Sequence, residues 1–65
     1  MGANREVFFE LVRMGRYAKA TAVDALTGIE ATVVGPTEAS NAVLKANALR
    51  KLEFVLSKQS VAGRK

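Results

Sequence analysis

The sequence contains no cysteine and no histidine, and these two absences remove much of the chemistry available to a protein site. Without cysteine neither a disulfide nor a thiolate metal site can form. Without histidine the commonest metal ligand and the usual general base are missing. A chain of 65 residues forms one small domain, which buries only about 60% of its unfolded surface. Because small domains without disulfides or metals often rely on oligomerisation, we expect the chain to self-associate, most simply as a homodimer.

Long apolar runs are absent as well, since no segment approaches the roughly 20 residues that a membrane helix needs. The N-terminal segment MGANRE lacks the apolar core of a signal peptide and carries Glu6 where a myristoylation signal has Ser or Thr. A cysteine-free composition fits a reducing compartment. We therefore expect a soluble cytoplasmic protein that makes no membrane contact.

No catalytic or cofactor motif is present. The P-loop, the dinucleotide fingerprint and the GxSxG elbow are all missing. Glu6 and Glu10 form an acid pair without a third catalytic group, and Asp24 with Glu30 supplies too few oxygen ligands for calcium. We predict that the protein is not an enzyme and has no catalytic residues, no cofactor and no metal site.

Three segments have the composition and alternation of strands. REVFFELVRM (5–14) and RYAKATAVD (16–24) alternate around Gly15, which predicts a two-residue hairpin turn. IEATVVG (29–35) follows as a third strand. Alanine is a poor strand former when taken alone, but alternation and flanking turns favour a strand at 16–24.

A helix is predicted after Gly35 and Pro36, which end the sheet. Thr37 is the predicted N-cap, with Glu38 in the first turn, and the helix runs to about Lys58. Residues 59–65 are predicted to be a flexible basic tail beyond a single domain at 1–58. The expected fold class is α+β, a three-stranded antiparallel meander with one C-terminal helix on one face, in the order β-β-β-α.

The stretch VDALTGIEA (23–31) could be a ligand loop, but each of its polar residues has a role in reversing the chain. Asp24 can accept backbone N–H groups, Thr27 can support the end of the turn, and Gly28 supplies positive φ. Counting outward from both turns places one common set of side chains under the helix: Val7, Phe9, Leu11, Ala18, Ala20, Ala22, Ile29, Ala31 and Val33. The two turns, counted independently, therefore assign the same side chains to the face under the helix.

The opposite, open face of the sheet is about half apolar, where a solvated face is mostly polar. The predicted helix is apolar over a wider arc than one sheet face requires. Both features favour self-association through the open face, the helix flank or a free strand edge, with an unidentified protein as another partner. The candidate partner surface is Phe8, Val12, Met14, Tyr17, Val23 and Val34.

Nucleic-acid binding is the alternative. The formal charge is +4, and Arg13, Arg16 and Lys19 cluster around the first hairpin near Tyr17 and Phe8. Basic residues among aromatics on an open sheet can contact phosphates and stack on RNA bases. The β-β-β-α order resembles the later part of a double-stranded RNA-binding domain. However, that domain's first helix is missing, and TEASN (37–41) stands where its basic stretch begins the last helix.

Four segments, REVFFE, VDALTGIE, VVGP and ALRKLEFVL, together resemble a family of short bacterial proteins of unknown function found mostly in alphaproteobacteria. The resemblance covers about Arg5 to Leu56. Its motifs are a strand, a turn, a cap and a helix, so it implies a small independent domain and supplies no catalytic or binding residues.

Overall fold

A computed structural model describes the backbone of residues 6–64 and the side chains of residues 6–58. It contains an antiparallel sheet in the order β1-β2-β3, followed by one helix. The elements are β1 (Val7–Met14), β2 (Tyr17–Asp24), β3 (Glu30–Pro36) and α1 (Asn41–Arg64). The predicted β-β-β-α fold is confirmed. Arg5, predicted to begin the first strand, and Lys65 lie outside the described residues.

The first hairpin turns at Gly15 and Arg16, so that Met14 pairs with Tyr17. Gly15 has φ 57°, whereas Arg16 does not have a positive φ. A positive φ at only the first of two loop residues is the pattern of a type II′ turn, whose twist matches that of the flanking strands. The glycine is therefore required at this position, and the predicted turn is confirmed.

The second turn is organised by Asp24, which is fully buried. Its Oδ2 accepts hydrogen bonds from Thr27 N (2.9 Å) and Thr27 Oγ1 (2.8 Å). Its backbone O accepts from Gly28 N, and its backbone N donates to Ile29 O, both at 2.8 Å. Gly28 has φ 79°, a conformation that L side chains rarely adopt. The backbone roles predicted for Asp24, Thr27 and Gly28 are confirmed.

The predicted register is confirmed on both sides of β2. Ala20 lies between Leu11 of β1 and Val33 of β3, and Ala22 lies between Phe9 and Ala31. All side chains predicted to lie under the helix are buried or partly buried. The fully packed part of this core joins the sheet to one stripe of α1; its members are Ala18, Ala20, Ala22, Ala31, Leu44, Ala48 and Leu52.

The alanines of β2 explain how the helix fits. Small side chains on the central strand let α1 lie close to the sheet, and larger apolar side chains occupy the flanks. Gly35 extends the same principle to β3, since a Cβ added there would lie 3.1 Å from Leu44 Cδ2. The leucine that begins the buried stripe of the helix therefore packs directly over the backbone of Gly35.

The helix begins later than predicted, and Thr37 is not its N-cap. Ser40 Oγ accepts a hydrogen bond from Val43 N (3.1 Å), and Leu44 N donates to Ser40 O (3.0 Å), so Ser40 is the cap. Thr37 N still donates to Arg16 O (3.1 Å), which keeps Thr37 attached to the end of the sheet. The chain must reverse before it can become helical. The cap is therefore Ser40, the next residue with a hydroxyl group after Thr37.

The helix also continues beyond Lys58, where the sequence analysis ended it, and runs to Arg64. Gln59, Ser60, Val61 and Ala62 include neither glycine nor proline, so no strong breaker occurs before Gly63. The backbone of the segment predicted as a tail is therefore helical through Arg64.

Candidate interaction surface

The register arranges the open face of the sheet in four rows of cross-strand neighbours. From one end of the sheet to the other they are Phe8–Val23–Glu30, Glu10–Thr21–Thr32, Val12–Lys19–Val34 and Met14–Tyr17–Pro36. Directly opposite side chains in such rows have Cβ atoms about 4.5–5.5 Å apart. All of the predicted partner-surface residues lie on this face.

The apolar residues of this face form two groups and not one continuous surface. The second row is polar, and Thr21 Oγ1 lies 3.0 Å from Thr32 Oγ1 in a side-chain hydrogen bond. This row separates Phe8 and Val23 from the larger group at the hairpin end. We call the larger group the hairpin patch; it comprises Val12, Met14, Tyr17, Val34 and Pro36, around Lys19.

The hairpin patch is well exposed. Val34 is 64% exposed, Tyr17 46% and Met14 42%. On the other side of the polar row, Phe8 is 57% exposed, while its neighbour Val23 is half-buried. Large apolar side chains grouped at this level of exposure are more typical of contact surfaces than of a solvated sheet face.

Pro36 is the member of the hairpin patch that the sequence analysis missed. The residue was taken as the end of the sheet, but it lies in β3 opposite Tyr17. The predicted register already contained the signal, because continuing the count outward from Ala20 and Val33 reaches this pair. A proline is tolerated there because its missing N–H would point away from β2.

Arg13 lies on the other side of the sheet from Lys19 and Tyr17. Its guanidinium donates to Ala39 O (2.6 Å), Asn41 Oδ1 (2.8 Å) and Thr37 O (3.3 Å). These bonds join β1 to the segment that leads into α1. The basic cluster predicted for nucleic-acid contact is therefore divided: Arg13 secures the start of the helix, Arg16 lies in the hairpin turn, and Lys19 lies on the open face.

The charges of the open face are mixed. Glu10 and Glu30 carry carboxylates there, and Lys19 carries the cation at the centre of the hairpin patch. With Arg13 on the opposite side, carboxylates outnumber cations within the four rows. A phosphate backbone would meet an unfavourable balance of charge on this face.

Among the residues that the structure describes, no group of three or more His, Cys, Asp and Glu side chains could hold a metal ion. No helix in the described part of the chain is long and apolar enough to cross a membrane.

The fold and this surface define a small α+β domain in which one sheet face is covered by a helix and the other is open and partly apolar. A family model described as a domain of unknown function, DUF6898, matches residues 4–59. The match covers most of the chain, so the chain belongs to this family. Searches of curated proteins and of solved structures found no significant match.

Proposed function

We propose that this domain is a non-catalytic cytoplasmic interaction protein that self-associates through its hairpin patch. The observation that carries the proposal is the exposed apolar group around Tyr17 and Val34 on a face that no element of the described chain covers. Burial of apolar area of this kind is the main favourable contribution to most protein associations. A role as an adaptor or accessory protein fits a small domain with an exposed apolar group of this kind.

A second copy suits this surface because the surface is self-complementary in charge. Lys19 at the centre of the hairpin patch needs a carboxylate when it is buried, since an unpaired charge is costly to desolvate. Glu10 lies in the adjacent row, and Glu30 one row further. Two copies packed face to face can bring a carboxylate of each to the lysine of the other.

RNA binding is less well supported, because the open face carries carboxylates as well as a lysine. A cationic groove with stacking aromatics is the usual arrangement for single-stranded nucleic acid. Here the hydrogen bonds of Arg13 hold it at the start of the helix, and the face that carries Tyr17 and Lys19 also carries Glu10 and Glu30. An RNA would contact Lys19 and Arg16 while facing both carboxylates.

Sedimentation over a concentration series from micromolar to about millimolar tests the proposal. We expect the weight-average mass to rise with concentration, and Tyr17→Asp to weaken association by about 2 kcal/mol, or roughly thirty-fold, as for a central aromatic contact. Phe54→Asp is the matched control, because Phe54 is 62% exposed on the helix, away from the open face.

Three results would contradict the proposal. The first is a strict monomer throughout the series. The second is equal loss of association in the Tyr17 and Phe54 variants, which would show that the effect is not specific to the hairpin patch. The third is nucleic acid that copurifies with the protein and is released steeply by salt, which would favour the RNA alternative.

A further inference from the structure

The free edge of β1 presents an unpaired hydrogen-bonding pattern. In an antiparallel ladder alternate residues direct both N–H and C=O toward the neighbouring strand, and the residues between them direct these groups outward. Ala25 N donates to Glu6 O (3.0 Å), which makes the even-numbered residues of β1 those that bond to β2. The outward groups therefore belong to the odd-numbered positions, Val7, Phe9, Leu11 and Arg13. Within the described residues these groups make no hydrogen bond.

The free edge of β3 is different, because two of its outward positions are closed. The bond from Asp24 N to Ile29 O makes the odd-numbered residues of the third strand face β2, so its even-numbered residues face outward. Pro36 has no N–H to offer, and Lys51 Nζ donates to Thr32 O at 2.8 Å. Proline and lysine at an edge are among the devices by which natural proteins hinder strand addition.

The side chains of β1 on the helix side are also incompletely covered. The helix packs over β2 and β3 rather than over β1. Val7, Phe9 and Leu11 are consequently only partly buried. The contact to them from the helix flank includes Lys45, whose Nζ lies 5.6 Å from the centroid of the Phe9 ring. Three of the four residues with open backbone groups, Val7, Phe9 and Leu11, thus also have half-covered apolar side chains.

We propose that β1 pairs antiparallel with β1 of a second copy of this chain, forming one continuous six-stranded sheet. A two-fold axis at Glu10 places Phe9 opposite Leu11 of the second copy and Val7 opposite Arg13 of the second copy. In this register all outward-facing residues of the strand find a partner. If this register is shifted by two residues in either direction, one outward-facing residue of each strand lies beyond the end of the facing strand.

A second copy fits this edge better than an unrelated peptide because it supplies the missing cover on the helix side. The two-fold axis runs perpendicular to the sheet, so both helices lie on the same side of it. Between them lies a valley whose floor is Val7, Phe9 and Leu11 from each copy. Leu49 and Leu56, which share the flank of α1 that carries Lys45, line its walls. The pairing combines hydrogen bonds along the strand with burial of side chains that each copy leaves partly exposed.

The proposed register contains one unfavourable contact, which provides a specific test. Glu10 on the open face would lie directly opposite Glu10 of the second copy, and like charges in that position are destabilising. Glu10→Gln should therefore tighten association, by up to about five-fold. When wild-type protein is mixed with E10K, mixed pairs should exceed the statistical proportion, because each then places Glu10 opposite a lysine.

Backbone N-methylation isolates the edge from every side chain. In a synthetic chain, N-methyl-Leu11 removes an outward donor and obstructs the approach of a facing strand without touching the β1–β2 ladder. N-methyl-Val34 is the matched control at the other edge, where the N–H also points outward. We expect the Leu11 form to associate more weakly than the unmodified chain, and the Val34 form to associate as the unmodified chain does. Circular dichroism of both forms checks that they fold.

Amide hydrogen exchange of the unmodified protein gives an independent measurement. The amides of Phe9 and Leu11 should exchange rapidly in dilute solution and become protected as concentration rises. The amides of Glu10 and Val12 should be protected at all concentrations, because they bond to β2. Rapid exchange of Phe9 and Leu11 at every concentration, or unchanged association of the N-methyl-Leu11 form, would overturn the proposal.

This edge pairing is separate from association through the hairpin patch, and the variants distinguish the two. Loss of association with Tyr17→Asp but not with N-methyl-Leu11 supports the patch contact and contradicts the edge contact. The reverse result supports the edge contact and contradicts the patch contact. A strict monomer of the unmodified chain contradicts both, and a partial loss of association in each variant supports both contacts.

Discussion

Replacing Ala20 by leucine tests the close approach of the helix to the sheet. Ala20 has no exposed surface and lies at the centre of β2, between Leu11 and Val33 and beneath α1. A leucine there adds three carbon atoms where the packing leaves no room, so the helix must move away or the side chain must adopt a strained rotamer. Overpacking of this kind costs about 1–3 kcal/mol.

That cost is a large part of the stability of so small a domain. At about 0.05–0.15 kcal/mol per residue, the free energy of unfolding is roughly 3–10 kcal/mol. For domains of this size, 1 kcal/mol lowers Tm by about 4–8 °C, so the variant should melt roughly 4–24 °C below the wild type. Far-ultraviolet circular dichroism at one fixed protein concentration measures the difference, since self-association alone changes Tm.

Ala46→Leu is the matched control, because Ala46 is exposed on the helix and undergoes the same chemical change. Its free energy of unfolding should change by no more than about 0.5 kcal/mol. An Ala20→Leu protein that melts with the wild type would refute the argument that small side chains set the distance between helix and sheet. Equal destabilisation of both variants would also refute it, because burial would then not be the cause.

Two further substitutions test the turns and caps by urea denaturation. Ser40→Ala should lower the free energy of unfolding by about 1 kcal/mol, because it removes the side-chain acceptor for Val43 N. Thr37→Ala should change it by less than half as much. A larger effect for Thr37→Ala than for Ser40→Ala would indicate that Thr37 is the cap. Gly28→Val should lower it by about 1–3 kcal/mol, since a β-branched residue is forced to φ 79°. Gly28→Asn, which tolerates that conformation, should lower it less, and equal losses would show that the φ angle is not the reason.

The sheet could be predicted from the sequence because two local signals agreed. The turn residues at Gly15 and at Asp24–Gly28 set the pairing, and the alternation of side chains assigned the faces. A register shift of one residue between β1 and β2 would have placed the alanines of β2 and the apolar residues of β1 on opposite sides. Local chemistry and burial therefore specified the same register.

The start of the helix could not be predicted in the same way. Thr37 and Ser40 both carry a hydroxyl that can cap a helix, and the composition after Pro36 does not distinguish them. The choice depends on contacts distant in sequence: Thr37 N bonds to Arg16 O, and Arg13 holds the carbonyls of Thr37 and Ala39. Arg13 is a different case: its alternation with Leu11 already placed its side chain on the helix side of the sheet, although the sequence analysis grouped it with the other basic residues.

Pro36 and Lys51 at the β3 edge have a consequence for how far assembly by strand addition can proceed. A chain with two open edges behaves like a bifunctional monomer in polymer chemistry, because each addition leaves a new reactive end. Within the residues that the structure describes, one edge is open along β1 and the other is partly capped, so the chain resembles a monofunctional monomer. Joining two copies at β1 leaves a partly capped β3 at each end, which favours termination at a pair over growth into a fibre.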